Sequence, residues 1–287
     1  MARQNTRDEC CAADLTGSYR DLSERFFQFE KRTNALHVGF RGYYPWTYLR
    51  SKLLNSVLRT SIQGYEGLEP IRRSPSRFRY IERMVRYTQN ARGGIMMRGK
   101  GTRPYMVFEH PRKNSGQEKR EKPDDYSSTV TSFISDNEVL YVDRAWNGKH
   151  VSVPTGNRRF DESLRIPARA IFEIVISIVW STFSPSLGHL NREFKHCVGI
   201  RASLRRSSIM GAFRFFVKRE QYRALLRFLK PSAVYCVVGY GFKELSAACE
   251  LLRVPMLEIQ HGIISRYHVG YSYPAGEGGS VPYFPGF

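Results

Sequence analysis

An α/β fold, built on a Rossmann-like parallel sheet flanked by helices and preceded by a mainly helical N-terminal region, is what three features of this sequence predict. The first is the strand Ala233-Val-Tyr-Cys-Val-Val238, which runs into the glycine turn Gly239-Tyr-Gly241, a helix from Lys243 to Leu252 and a second short strand, Pro255 to Ile259. Strand, turn, helix and strand in that order form the βαβ unit of a parallel sheet. The second feature is the upstream run Glu138 to Val142, continuously apolar after its first residue, which suits a strand covered on both sides. The third is helical periodicity near the N-terminus.

In chain order, a helix is expected from Asp21 to about Leu36, because Leu22, Phe26 and Phe29 recur at spacings of four and three. After the loop from Gly39 to Pro45, a second helix starts near Trp46. Trp46, Leu49, Leu53 and Val57 form its stripe, with Tyr48 and Arg50 to the side. Residues 60–104 are basic and weakly patterned, with a short helix expected from Arg79 to Thr88. Tyr105 to Glu109 and Glu138 to Val142 are the strand candidates, separated by a charged loop over Lys113 to Asp125. Helices follow at about 166–183 and about 207–229, the second placing Ile209, Phe213, Phe216, Leu225 and Phe228 at helical spacing beside a solvated basic face. The resulting division is a helical, basic region over 1–100, a Rossmann-like domain over 101–274 and a linker over 275–287.

The 287 residues are 41% hydrophobic and 13% aromatic, enough for a sizeable core and too apolar for a disordered chain. Lys and Arg outnumber Asp and Glu by 45 to 26, a net charge of +19 that favours anionic partners. Nucleic acid, phosphorylated lipid, nucleotide sugar and an anionic membrane surface all meet that condition. The basic residues are spread in small clusters such as Arg72-Arg73, Arg158-Arg159 and Arg205-Arg206, so charge alone does not choose among them. Five cysteines without framework spacing argue against disulfides and a zinc site, and Cys236 and Cys249 among apolar neighbours suit a reducing compartment, hence the cytoplasm. The polar N-terminus lacks a signal peptide's apolar core. The most apolar stretch, Ala170 to Phe183, is interrupted by Glu173 and falls short of the about 20 residues a membrane span needs. Attachment is therefore expected to be peripheral at most, at the inner face of a membrane.

Ligands of open α/β sheets collect at the carboxyl ends of the strands, where loops expose backbone amides and helix N-termini. Two such loops lie close together here. Gly239 and Gly241 allow close backbone approach, although the third glycine of a dinucleotide fingerprint is missing. The second loop runs from Glu258 through Gln260-His261-Gly262 to Arg266, His268 and Pro274. An imidazole titrates near neutrality and can take a proton from a hydroxyl, a neighbouring glycine clears space for substrate, and a carboxylate can orient the ring. His261 is thus the candidate base. Strand alternation puts Glu258 and Gln260 on one face and Ile259 on the other.

The phrases Gly239-Tyr-Gly-Phe-Lys-Glu-Leu, Arg253-Val-Pro-Met-Leu-Glu-Ile-Gln-His-Gly-Ile-Ile-Ser265 and Tyr267-His-Val-Gly-Tyr-Ser-Tyr-Pro274 resemble GT-B glycosyltransferases of bacterial surface-polysaccharide synthesis. The Gln-His-Gly element is also similar to that of capsule-polymer and CDP-glycerol glycerophosphotransferases. Tyr43-Tyr-Pro-Trp-Thr-Tyr-Leu-Arg50 resembles the tryptophan-arginine segment near the start of such proteins, and Arg103 to Val142 their first strand and loop. The resemblance implies the N-terminal, acceptor-side domain of a GT-B enzyme. It implies metal- and cofactor-independent transfer of a sugar or polyol phosphate from a nucleotide-activated donor to a glycan or lipid-linked acceptor. His261 is then catalytic, and Gly239, Gly241, Glu258, Gln260, Gly262, Arg266 and His268 bind substrate, Arg266 facing the departing diphosphate. It also places the donor-binding domain beyond Phe287.

Two further classes compete. A basic nucleic-acid-binding protein fits the charge and aromatics, but no RNP, KH, zinc-finger or helix-turn-helix signature occurs. A non-catalytic scaffold or remnant of a polysaccharide pathway fits the expected missing domain.

Overall fold

A computed structural model describes residues 19–61, 104–109, 125–135, 138–143, 158–160, 168–198, 204–260, 264, 267–268, 270–274 and 282–283. Five parallel strands form one sheet in the order β3-β2-β1-β4-β5. They are β1 (Tyr105–Phe108), β2 (Val139–Asp143), β3 (Arg158–Phe160), β4 (Ala233–Val237) and β5 (Met256–Ile259). The α/β class and the parallel sheet flanked by helices are therefore as expected from sequence. β3 was not anticipated: it has three residues, two of them arginines, at the edge of the sheet.

The helices are α1 (Tyr19–Thr33), α2 (Pro45–Ser61), α3 (Asp125–Thr131), α4 (Ala168–Phe183), α5 (Pro185–Val198), α6 (Leu204–Leu229) and α7 (Lys243–Leu252). The chain divides into two compact units that interleave along the sequence. The first comprises Met1–Glu69, Phe172–Phe216 and Ile263–Pro282; the second comprises Pro70–Ile171, Val217–Gly262 and Tyr283–Phe287. α6 contributes to both, its residues to Phe216 to the first and the remainder to the second.

The second unit holds the sheet. Alternate residues Met106 and Phe108, Leu140 and Val142, Val234 and Cys236 point to one face, as the period of two requires. There they meet Tyr222 and Leu226 of α6 and Leu245, Ala248 and Cys249 of α7. On the opposite face the Tyr141 hydroxyl donates to Thr131 Oγ1 of α3 at 2.9 Å, and Tyr105 packs on Tyr235. Helices on both faces explain why β2 reads as a continuous apolar run. On α6, Phe228 is exposed, against its expected place in the apolar stripe, while Arg219 and Glu220 are buried as an ion pair at 2.9 Å.

The first unit is helical. Leu22, Phe26 and Phe29 of α1 enclose a core with Trp46, Leu54 and, from α5, Leu187, Leu190 and Phe194. Edge-on ring contacts such as Phe26 to Phe194 at 5.6 Å and Phe29 to Trp46 at 4.7 Å hold its centre. Between α1 and α2, Phe40 and Tyr43 exchange two backbone hydrogen bonds of 2.9 Å around Arg41 and Gly42, both at positive φ, as in a tight hairpin turn. Tyr48 and Arg50, expected beside the apolar stripe of α2, are instead buried. Arg50 lies against Glu30 of α1 as an ion pair, its side chain 1% exposed and that of Glu30 0%. Phe213, expected in the apolar stripe of α6, is exposed.

Among the described residues no single helix is long and apolar enough to cross a membrane. The consecutive pair Arg169–Phe183 and Pro185–Val198 reaches that length and composition together, with a 59° bend between them. The helix expected over Arg79 to Thr88 and nearly all of the charged loop over Lys113 to Asp125 lie outside the described residues.

Candidate site at the carboxyl edge of the sheet

The strand order reverses direction at β1. From β1 the chain continues to β2 and β3 on one side and from β4 to β5 on the other, so the strand connections diverge between β1 and β4. That divergence is where open α/β sheets bind ligands. Glu109 follows β1 and is fully buried, and its amide donates to Val142 O at 3.3 Å. The sequence reading did not select it, although a carboxylate closing an apolar strand just before His110-Pro111 was the available signal.

The residue that follows β4 is unusual. Val238 adopts φ 65° and ψ 62°, a left-handed conformation that a β-branched side chain rarely enters. Such a residue costs about 1–3 kcal/mol and persists only where its surroundings over-determine it. Here one constraint is visible: Glu258 Oε1, at the end of β5, accepts the amide hydrogen of Gly239 at 2.6 Å. The register explains the reach, since Glu258 pairs with Cys236 and so stands beside the last turn-forming residues of the neighbouring strand.

The turn Gly239–Gly241 is a 3-10 turn. Gly241 N–H donates to Val238 O at 2.9 Å and Phe242 N–H to Gly239 O at 2.8 Å. One amide is held by a carboxylate and the other closes the turn.

β5 carries Glu258 half-buried, and Gln260 follows it exposed to solvent. Because β4 and β5 run parallel, Gly239 and Gln260 follow strand ends on the same edge of the sheet. His261, Gly262 and Arg266 lie outside the described residues. His268 is described, in the first unit, and its ring serves its own turn. Its Nδ1 accepts from Gly270 N–H at 3.2 Å, its carbonyl accepts from Tyr271 and Ser272 N–H at 2.8 Å, and its ring packs on Tyr271 at 4.9 Å. His268 thus takes part in its own turn.

The motif segments around Trp46 and Tyr273 meet within the first unit. Trp46 Nε1–H donates to Glu30 Oε1 at 2.7 Å, and Arg50 donates to both Glu30 oxygens and, through Nη2, to Ser272 O at 2.7 Å. The Arg50 guanidinium also lies over the Tyr273 ring at 4.4 Å. Tyr267 is tied down separately, its hydroxyl donating to Glu24 Oε1 at 3.2 Å. These contacts anchor the segment that follows the Gln-His-Gly loop.

Cys236 and Cys249 are free and buried, and burial pushes the Cys249 thiol up to about 12. Cys249 therefore stays a thiol at neutral pH. Among the described residues no group of three or more His, Cys, Asp or Glu side chains is placed to hold a metal ion. Comparison with protein-family models, with curated proteins and with solved structures finds no match.

Proposed function

We propose that the chain forms the acceptor side of a transferase that moves a sugar or polyol phosphate from a nucleotide-activated donor to a glycan hydroxyl. The observation that carries this reading is the clamp between Glu258 and Gly239. It ties a strained turn at the carboxyl edge of a parallel sheet to the end of β5, the strand that leads in sequence to Gln260-His261-Gly262. A general base must be held within hydrogen-bond reach of the hydroxyl whose proton it takes, and an anchored strand that ends two residues before His261 in sequence supports that role.

In this mechanism the acceptor oxygen attacks the anomeric carbon, or the phosphorus, of the donor. The bond from that atom to the nucleotide's leaving phosphate oxygen breaks as the new bond to the acceptor oxygen forms, and the hydroxyl proton passes to His261. The departing nucleotide carries its negative charge away, stabilised by Arg266. Gly262 leaves room for the acceptor, and Gln260 is the exposed polar group beside it.

The test is saturation-transfer NMR of the protein with a panel of oligosaccharide and glycerol-phosphate acceptors. Binding of one acceptor class is expected, and His261→Ala should weaken it roughly tenfold, what one lost hydrogen bond of about 1.4 kcal/mol costs, at an unchanged melting temperature. Binding that survives His261→Ala undiminished, or the absence of binding with every acceptor, would sink the proposal.

A further inference from the structure

α4 is built inside out over Phe172 to Phe183. The residues it buries are Glu173, Ile174, Ser177 and Ser181, and Ser184 just past its end is buried too. Those it exposes are Phe172, Val175, Ile178, Val179, Thr182 and Phe183, all but one of them apolar and the last with 76% of its surface open. Both sets repeat with helical period, so these are two true faces, the polar one turned inward. An ordinary surface helix has the reverse arrangement.

The buried face is polar and partnered in part, the Ser177 hydroxyl finding no hydrogen-bond partner among the described residues. Glu173 is ion-paired with Arg41 at 2.8 Å, and Ser181 Oγ shares a hydrogen bond of 3.0 Å with Ser208 Oγ of α6. Small hydroxyl-bearing residues between closely packed helices, with aliphatic and phenyl groups outside, are the pattern of helices whose outer solvent is lipid. α6 continues it within the same unit, with exposed Met210 and Phe213 on one stripe between exposed Arg206 and Arg214.

We infer that the exposed face of α4 docks into an anionic lipid surface, lying in the interface without crossing it. The helix has 16 residues, about 24 Å at 1.5 Å each, against a hydrocarbon core of about 30 Å. α5 does not extend it: the chain bends by 59°, and α5 buries its apolar residues while exposing Arg192 and Lys195. Charge selects the lipid. The acidic residues of α5 and of α4 are Glu193, bonded to Arg32, and Glu173, bonded to Arg41. α6 has none up to Phe216, and Arg205 donates to Ser184 O at the end of α4. Basic groups beside an inserted apolar face add about 1 kcal/mol each near an anionic leaflet. The same groups disfavour a second copy of the chain, since a symmetric contact would set arginines against arginines. This inference goes beyond the transferase reading and does not depend on it.

Vesicle flotation tests it, with phosphatidylcholine vesicles and with vesicles containing about a third phosphatidylglycerol, alongside sedimentation without lipid. The expected result is flotation with the anionic vesicles and at least tenfold weaker flotation with neutral ones. V179D/F183D should reduce anionic-vesicle binding at least tenfold while leaving the melting temperature unchanged, because both positions are exposed. V179S/F183S, which adds no charge, should reduce it in the same direction. Three results would overturn the inference: no binding to anionic vesicles, binding indifferent to both double variants, or a lipid-free dimer that V179D/F183D converts to monomer.

Discussion

Glu258 and Gly239 are joined across adjacent parallel strands by a hydrogen bond of 2.6 Å from a backbone amide to a carboxylate. Bonds of this charge-assisted kind contribute about 1.5–3 kcal/mol. Glu258→Ala should therefore lower the unfolding free energy by about 2 kcal/mol, read from the urea midpoint, and increase hydrogen exchange at the Gly239 amide. Glu258→Gln keeps an acceptor oxygen and should lose less. Exchange at Gly239 unchanged in the alanine variant would show that the clamp does not hold the turn.

The pair Arg50 and Glu30 makes a different kind of prediction. Both side chains are almost fully enclosed, so removing one leaves a buried charge with its partner gone. Either Arg50→Ala or Glu30→Ala should cost about 3–5 kcal/mol. Arg50→Lys should not restore stability, because an ammonium cannot reproduce the forked donation to both Glu30 oxygens and Ser272 O. Thermal and urea unfolding of the three variants decide the matter; a lysine variant as stable as the parent would contradict it.

Cys249 predicts an alkaline limb in the stability profile. Burial raises its thiol from an ordinary 9.0 to about 12. The folded chain thus keeps a proton that the unfolded chain loses, and stability from this group is full below pH 9, then falls as pH rises toward 12. Urea midpoints across that range should fall less steeply in Cys249→Ala than in the parent. Identical slopes would mean that the thiolate is as well solvated folded as unfolded.

The βαβ unit from Ala233 to Ile259 was legible because its signals are local: alternation, a glycine turn and a short amphipathic helix lie within one continuous stretch. α5 was legible in principle, since Leu187, Leu190, Phe194 and Cys197 recur at spacings of three and four, but Ser184-Pro185 reads as a stop rather than a new start. The burial of Arg50 could not be read from its own helix. Pattern rules count arginine as a surface residue, and the reason it is inside is Glu30, on another helix. The inverted face of α4 was hidden for a further reason. An apolar run is visible in sequence, yet which side of it meets the protein depends on where Ser208 and Arg41 come to lie. At the candidate site, the glycine turn was legible and its geometry was not, because the left-handed Val238 and the reach of Glu258 are products of strand register.

The bond from Arg50 to Ser272 spans 222 positions of sequence. At synthesis rates of about 5–20 residues per second, the carbonyl that completes the Arg50 site emerges on the order of 10–45 seconds after the guanidinium does. During that interval α1 and α2 have left the ribosome without the segment that covers Arg50 with Tyr273. A nascent chain in this condition presents aromatic surface and an incompletely bonded ion pair together, the kind of surface that holdase chaperones retain. The interleaving of the two units along the chain thus sets the order of assembly during translation, with the first unit closing only after the sheet strands of the second have been made.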